Sequence, residues 1–256
     1  MPRGSGTPLP DYEDLFAAAV DPCRRVRTLE LLLAISGRTG DARLRGRVRG
    51  ALARPGSLRL EGLAPFGAPA FVLVAGSAPP VLLLPRERRV VTGASGRDLL
   101  AALAGLPLGP ADFRALLTGC LVPQPRAVAA RTYGGGWIGV ALEGDATLYL
   151  HEVGPATVMV AGRRPGLIVE YADHVRGLPR RIRVQTTAPD AAATDLTATL
   201  SQVDINVELD ERAFVQEVPA GFAPVPIETL RGAPGPLEEP RPPTAAGRPP
   251  RRPADP

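Results

Sequence analysis

The chain has 256 residues, of which 45% are apolar and 22% charged. This length suits one large domain or two small ones, and the apolar fraction excludes a wholly disordered protein. All 30 basic residues are arginine and 26 residues are acidic, so the net charge is only +4. Such a small positive excess argues against a nucleic-acid-binding protein. No apolar run approaches the ~18 residues that a membrane-spanning helix needs.

The two cysteines, Cys23 and Cys120, are too few for a disulfide scaffold or an all-cysteine metal site. One bridge between them suits an exported protein, whereas two free thiols suit a cytoplasmic one. Residues 1–20 contain Pro, Gly, Asp and Glu where a signal peptide has an apolar segment. Taken literally, this beginning predicts a cytoplasmic protein. The alternative interpretation is that the true start, with an export segment, lies upstream.

The two ends of the chain differ in composition from the middle. Residues 232–256 include nine prolines and almost no large apolar side chain. Such a segment cannot offset the entropy lost on ordering, so we predict that it is disordered and adds no stability. We also predict a disordered segment over 1–10. No linker-like stretch interrupts 11–231, which we interpret as one domain.

Short alternating runs of apolar and polar residues, bounded by glycine and proline, predict β-strands over most of this domain. The connections have hairpin length, which favours antiparallel pairing. In the last run the apolar phase reverses near Ser201 and Gln202, which predicts a β-bulge. The predicted strands are 29–36, 43–50, 57–63, 70–75, 81–84, 88–92, 127–132, 137–142, 147–151, 157–161, 167–171, 181–186 and 195–209.

Helical spacing of apolar residues appears in two short central segments, 99–103 and 113–117. A third amphipathic stretch over 11–20 predicts a helix near the amino terminus. Many strands interrupted once by an apolar helix pair predict a mainly β, α+β fold. We expect an open antiparallel β half-barrel that wraps around short helices.

Residues that carry catalysis or bind cofactors are scarce. His151 and His174 have no second ligand at metal-binding spacing, and there is no Gly-x-Ser-x-Gly motif. The glycines at 93–96 lack the third glycine of a dinucleotide-binding turn, so we interpret them as a strand-to-helix turn. Gly134–Gly136 lacks the Lys-Ser/Thr of a phosphate-binding loop and predicts a hairpin turn. We predict no catalytic residue, no metal ligand, no cofactor and no enzymatic activity.

Four arginines alternate along the second predicted strand: Arg43, Arg45, Arg47 and Arg49. Two interpretations remain open for them. The row either meets lipid phosphates, which arginine binds well, or forms the solvated face of the sheet, paired with Glu61 and other acids on neighbouring strands.

Three segments, in order along the chain, resemble the outer-membrane lipoprotein receptor LolB and its relatives in the LolA/LolB-like superfamily. Residues 58–73 resemble the family's strand, Pro-hydrophobic-Gly loop and second strand. Residues 99–119 resemble its Leu-x-Gly-x-Pro helix break followed by a leucine-rich helix ending in glycine. Residues 214–221 are similar to its closing Phe…Pro-x-Gly segment. The resemblance covers roughly 28–225.

The resemblance implies an incomplete barrel of about eleven strands, with helices as a lid over an apolar cavity. It implies a non-enzymatic protein that receives lipoproteins and delivers them to the outer membrane. The expected partners are lipoprotein acyl chains or phospholipid, a periplasmic LolA-like carrier and the membrane surface, with no nucleic acid. The predicted cavity residues are Leu58, Leu60, Leu99, Leu103, Leu106, Phe113, Leu116, Leu117 and Trp137.

The expected location is the periplasmic face of the outer membrane of a Gram-negative bacterium. The sequence departs from LolB-type receptors, because the residues before Cys23 match a lipidation motif poorly and because the arginine- and proline-rich tail is extra. The alternative function is therefore an envelope lipoprotein that uses the same half-barrel to bind a protein partner, without lipid transfer.

The loop between the third and fourth predicted strands carries Leu63, Pro65, Phe66 and Gly67. A hairpin tip ordinarily has polar residues, so a phenylalanine there is unusual. In LolB-like receptors the matching position is a protruding hydrophobic residue that helps to insert cargo into the membrane. We therefore predict a membrane-insertion loop; the alternative is that Phe66 folds back and caps the barrel.

Overall fold

One large curled sheet makes up most of the molecule. The computed structural model describes residues 1–64, 66–153, 156–187, 193–231 and 236–238. The strands are β1 (Thr7–Pro8), β2 (Thr28–Thr39), β3 (Ala42–Ala53), β4 (Ser57–Leu63), β5 (Phe71–Ala75), β6 (Val81–Leu84), β7 (Arg89–Thr92), β8 (Ala127–Tyr133), β9 (Trp137–Leu142), β10 (Ala146–Val153), β11 (Ala156–Arg164), β12 (Leu167–Ala172), β13 (Arg181–Thr186), β14 (Thr194–Ile205) and β15 (Ala223–Pro224). The α-helices are α1 (Glu13–Arg25), α2 (Gly96–Ala104), α3 (Pro110–Leu117) and α4 (Glu228–Arg231).

The fifteen strands lie in the order β1-β8-β9-β10-β11-β12-β13-β14-β2-β3-β4-β5-β6-β7-β15. Among them only β15 and β7 pair in parallel. The predicted fold class, an open antiparallel half-barrel around short helices, is confirmed, and each predicted strand is found as one of β2 to β14. The sequence did not predict β1 or β15, because two residues are too few to show an alternating pattern.

The alternation of side chains assigns one face of the sheet to the core. In β3, Leu44, Val48 and Leu52 are buried on the inner face, while the intervening arginines are exposed. The inner faces of the curled sheet, together with α1, α2 and α3, form one continuous hydrophobic core. Burial of that apolar surface is the main contribution to folding.

The longest strands, β2, β3 and β14, have twelve residues each and cross the middle of the sheet. The register between β14 and β2 shifts between Ser201 and Asp204, which confirms the predicted bulge. β14 ends at Ile205 and not at 209 as predicted. The reason is Asn206, which adopts φ of 58° and whose Oδ1 accepts a hydrogen bond from the Arg27 amide at 2.8 Å.

Helices α2 and α3 lie against the concave face of the sheet, as predicted. The Ser95 hydroxyl accepts a hydrogen bond from the Asp98 amide at 3.1 Å and caps the start of α2. Gly105 ends α2 in the left-handed conformation, with φ of 65°. Pro110 begins α3, where its fixed φ suits a first helical turn. No helix in the described part of the chain has both the length and the apolarity to span a bilayer.

Helix α1 extends beyond its predicted range of 11–20 and carries Cys23 on its buried face. Cys23 forms a disulfide with Cys120, with Cα atoms 5.8 Å apart. The structure therefore contains the bridge that the sequence left open. The bridge joins α1 to the segment that follows α3.

The predicted disordered ends both contain residues that pack. Thr7 and Pro8 pair with β8, and the Leu9 amide donates to the Ala130 carbonyl at 2.9 Å. In the tail, Leu237 is 5% exposed and its carbonyl accepts from the Arg45 amide at 2.8 Å. The expectation that the tail packs nowhere is therefore not met at 236–238. A single leucine among prolines has no periodicity that would predict its burial.

Leu237 fits against β3 because residue 46 is a glycine. A Cβ atom at Gly46 would lie 2.6 Å from Leu237 Cδ2, closer than atoms can approach. Leu237→Ala is expected to lower the free energy of unfolding by about 2 kcal/mol, at the low end for truncation of a buried leucine. Urea denaturation measures this, with Val218→Ala, at a 43% exposed residue, as the control. Equal midpoints for Leu237→Ala and the wild type would contradict the packing.

Candidate functional site

An apolar cavity lies between the concave face of the sheet and helices α2 and α3. Every residue that lines it is apolar, so hydrocarbon groups are the ligands that its walls favour. The lining residues are Leu33, Ile35, Val48, Leu60, Phe71, Leu100, Leu103, Ala104, Leu106, Phe113, Leu116, Leu117, Ile182, Val184, Leu196, Ala198 and Leu237.

The cavity is small in this conformation. Its volume is about 60 Å³. An apolar cavity of roughly 150 Å³ is the size that holds a benzene molecule. A fatty acyl chain is much longer than benzene, so the side chains of α2 and α3 must move outward before such a chain can enter. The cavity as it stands in this structure is therefore too small for an acyl chain.

The two helices that cover the cavity are attached to the barrel differently. α3 is followed by Cys120, which the disulfide fixes to α1. Near its start, Asp112 Oδ1 accepts from Arg164 Nη1 of β11 at 2.6 Å, in a partly buried ion pair. The end of α2 is held by longer contacts: the Thr39 hydroxyl donates to the Ala104 carbonyl at 3.3 Å. We call α2 and α3 together the lid; α2 has the weaker polar contacts with the barrel and is held mainly by its buried leucines.

A buried cation lies behind the lid. Arg114 of α3 is 4% exposed, and its Nη1 donates to the Val26 carbonyl at 3.3 Å. Burial, together with the nearby Arg54, lowers the pKa of its guanidinium below the usual value. No carboxylate in the described part of the chain pairs with it. A buried charge without a counter-ion stabilises a fold little, so this contact holds α3 only weakly.

Comparisons with known proteins bear on the fold. No protein-family model and no curated protein matches the sequence significantly. A DUF1329 family protein from Desulfovibrio piger has a similar structure, with a TM-score of 0.51 and 11% identity over 78% of this chain and 94% of that one. A LolA superfamily protein from Nitrosomonas europaea gives a TM-score of 0.51 and 10% identity over 77% of this chain and 96% of that one.

The chain has a LolA-like fold. This is the fold that the resemblance found in the sequence implies. At 10–11% identity the similarity is one of architecture, and the assignment of function rests on the site itself.

Most of the predicted cavity residues of this LolA-like fold meet at the cavity. Leu60, Leu103, Leu106, Phe113, Leu116 and Leu117 line it. Leu58 and Leu99 are completely buried in the same core but do not reach the cavity surface. The sequence reasoning missed Ile182, Val184, Leu196 and Ala198 of β13 and β14. Their alternation was visible, but nothing in it showed that these strands face the lid.

Trp137 lies away from the cavity. Its ring is on the outer face of β9, in edge contact with Tyr149 at 6.4 Å and His151 at 5.1 Å between ring centroids. Val140 and Leu142 occupy the inner phase of that strand and are buried. Because successive side chains alternate between faces, Trp137 must point outward. The predicted contribution of Trp137 to the cavity is therefore not supported by its position.

The predicted insertion loop follows β4. Leu63 is half-buried at the end of the strand, Gly67 is exposed with φ of 76°, and Pro65 lies outside the described residues. Phe66 is 89% exposed. Its side chain thus does not fold back over the barrel in this structure.

The two histidines make backbone contacts. His151 Nε2 lies 2.9 Å from the Gly135 carbonyl, and His174 Nε2 lies 2.7 Å from the Met159 carbonyl. Burial lowers the pKa of His174. No group of three or more His, Cys, Asp or Glu side chains among the described residues is arranged to hold a metal ion.

Proposed function

We propose that this protein binds the acyl chains of lipoproteins beneath the lid and delivers the lipoproteins to the outer membrane, without catalysing a reaction. The observation that carries the proposal is the cavity lining, in which every residue is apolar. Each CH₂ group that leaves water for such surroundings contributes about 0.8 kcal/mol. A single long chain therefore supplies ample binding energy.

Release follows from the same energetics. The bilayer offers an acyl chain as much apolar contact as the cavity does, so a carrier must not fit its cargo too well. A lid that the acyl chain must displace meets this requirement, because the lid packs back onto the sheet when the chain leaves. The free energy of that packing offsets part of the cost of releasing the chain. We infer that α2 moves, since its end has only the weaker hydrogen bonds described above.

The binding step is tested with a diacylated lipopeptide and the same peptide without acyl chains. After incubation and gel filtration, lipid extraction and mass spectrometry measure the bound lipopeptide per protein. We expect close to one diacylated molecule per protein and none of the unacylated peptide. Equal retention of both peptides would contradict acyl-chain recognition.

The delivery step is assigned to Phe66. An exposed phenylalanine can bury ~150–250 Å² of surface in a bilayer, worth a few kcal/mol of membrane affinity. Phe66→Glu is expected to keep the melting temperature and the lipopeptide binding of the wild type, because the side chain is 89% exposed. Transfer of bound lipopeptide to liposomes should fall at least tenfold.

Val215→Glu serves as the control, because Val215 is also exposed but lies outside this loop. Transfer by Phe66→Glu at the wild-type rate would contradict the insertion role.

In the proposed pathway a periplasmic LolA-like carrier supplies the cargo, and the protein acts at the periplasmic face of the outer membrane in a Gram-negative envelope.

A second candidate function is protein binding without lipid transfer. It is favoured by the pairing of Leu44 with Glu238, in which the chain's own tail lies antiparallel beside the part of β3 that β4 does not cover. If this is the function, purified protein should carry no lipid and should bind a protein partner tightly. The lipopeptide experiment separates the two functions.

A further inference from the structure

The outer face of β2 and β3 carries a cluster of exposed arginines. We call these five residues the arginine face: Arg38, Arg43, Arg45, Arg47 and Arg49. The register of the two strands puts Arg38 directly opposite Arg43. Like charges in directly opposite positions repel each other and destabilise the pair of strands. The arrangement therefore calls for a source of negative charge.

The acids directly opposite Arg38 and Arg49 pair with other arginines, while Glu30 and Asp204 line a surface pocket together with Arg49 at one end of the row. Asp195 is opposite Arg38 but forms two hydrogen bonds with Arg183, at 2.8 and 2.7 Å. Glu61 is opposite Arg49 but forms an ion pair with Arg59 at 2.7 Å. One interpretation of the row was a solvated face on which the arginines pair with Glu61 and other acids. In the structure Glu61 pairs with Arg59 instead.

Four of the five arginines form no ion pair in the part of the chain that the structure describes. Within the described residues, no ion pair or side-chain hydrogen bond involves Arg38, Arg43, Arg47 or Arg49. Alternate residues of a strand are about 6–7 Å apart, so Arg43 to Arg49 span roughly 20 Å. This is the scale of several phospholipid headgroups side by side.

The arginine face adjoins the exposed Phe66. β4 ends at Leu63, which is opposite Arg47, and β3 continues past that point through Arg45 and Arg43. Phe66 follows Leu63 by three residues, within about 10 Å of chain. An apolar side chain beside a basic row matches a bilayer, which offers hydrocarbon next to anionic phosphate. A nucleic-acid duplex also presents phosphates, but its bases are stacked inside and it has no hydrocarbon layer beside the phosphates.

We propose that the arginine face binds the phosphate groups of anionic phospholipids at a membrane surface. Guanidinium groups donate paired hydrogen bonds to phosphate oxygens, which a bilayer surface presents in a plane. This proposal and the delivery step proposed above have only one observation in common, the exposed position of Phe66. Binding of the arginine face requires neither an open cavity nor cargo.

The test is co-sedimentation of the cargo-free protein with vesicles. Wild-type protein should bind vesicles of phosphatidylglycerol and phosphatidylcholine, and far less those of phosphatidylcholine alone. Each arginine near an anionic surface contributes a similar binding free energy. A variant that combines Arg43→Gln, Arg47→Gln and Arg49→Gln should therefore bind the vesicles on the order of 100-fold more weakly. Raising the salt concentration should weaken wild-type binding as well.

The matched control changes Arg126, Arg163 and Arg212 to glutamine, with the same loss of charge at exposed arginines on other parts of the surface. It should keep nearly all of the binding, and a triple Arg→Lys variant of the arginine face should keep most of it. The control variant should melt as the wild type does, and the arginine-face variant at the same or a higher temperature, because Arg43→Gln removes the repulsion from Arg38.

Three results would overturn the proposal. These are equal losses in the two glutamine variants, equal wild-type binding to vesicles with and without phosphatidylglycerol, and preferential binding of duplex DNA by the arginine face. Diacylated lipopeptide binding in solution should be unchanged in the arginine variant. Wild-type protein that binds diacylated lipopeptide but not anionic vesicles would contradict the arginine-face proposal alone. Wild-type protein that binds anionic vesicles but no lipopeptide would contradict the proposed function alone.

Discussion

Leu103→Asp and Leu116→Asp are each expected to lose most of the stability of the protein, by several kcal/mol of unfolding free energy. Both leucines are at most 5% exposed and line the cavity, one on each helix of the lid. A carboxylate at either position would face only apolar walls. It must remain charged without a partner, become protonated, or push the helix away.

Chemical denaturation measures the loss, and lipopeptide binding should fall together with stability. Ala18→Asp is the matched control, because it puts the same carboxylate on the exposed face of α1. A change within about 0.5 kcal/mol is expected there. If Leu103→Asp and Leu116→Asp unfold at the wild-type denaturant concentration, the helices do not pack in the barrel as described.

Removal of the disulfide is expected to have the next largest effect. The bridge joins residues 97 positions apart, and closing so long a loop restricts the unfolded chain strongly. Cys23→Ser with Cys120→Ser is expected to lower the free energy of unfolding by roughly 2–5 kcal/mol. For a chain of this size that corresponds to a melting temperature lower by about 4–20 °C.

Wild-type protein in a thiol reductant should behave like the double variant, whereas reductant should not change the double variant. A single variant, Cys120→Ser, should match the double variant in stability. Identical melting of oxidised and reduced wild type would contradict a stabilising bridge. Titration of thiols in the unfolded, unreduced protein should find none.

Local patterns predicted the strands well because each strand buries one face. Alternation in β3 and helical spacing in α2 record which side chains leave water, and both elements appear where the sequence placed them. Trp137 shows the limit of this reasoning. It was expected in the cavity, but Val140 and Leu142 set the phase of β9, and Trp137 lies on the outer face.

Features that depend on packing between distant segments were not predictable. Leu237 is buried because Gly46, nearly two hundred residues earlier, leaves space for it. The closed cavity likewise depends on how closely α2 and α3 approach β13 and β14. No sequence pattern within these helices or strands indicates how closely they approach each other.

The most direct test of acyl-chain binding beneath the lid is photo-crosslinking. A diacylated lipopeptide with a diazirine in the middle of one acyl chain is bound, irradiated and digested, and the labelled residues are mapped by mass spectrometry. We predict labels on cavity residues such as Leu103, Ile182 and Leu196, with label on α2 reduced by excess unlabelled lipopeptide. Label confined to the outer face, around Trp137 or Phe66, would contradict acyl-chain binding in the cavity.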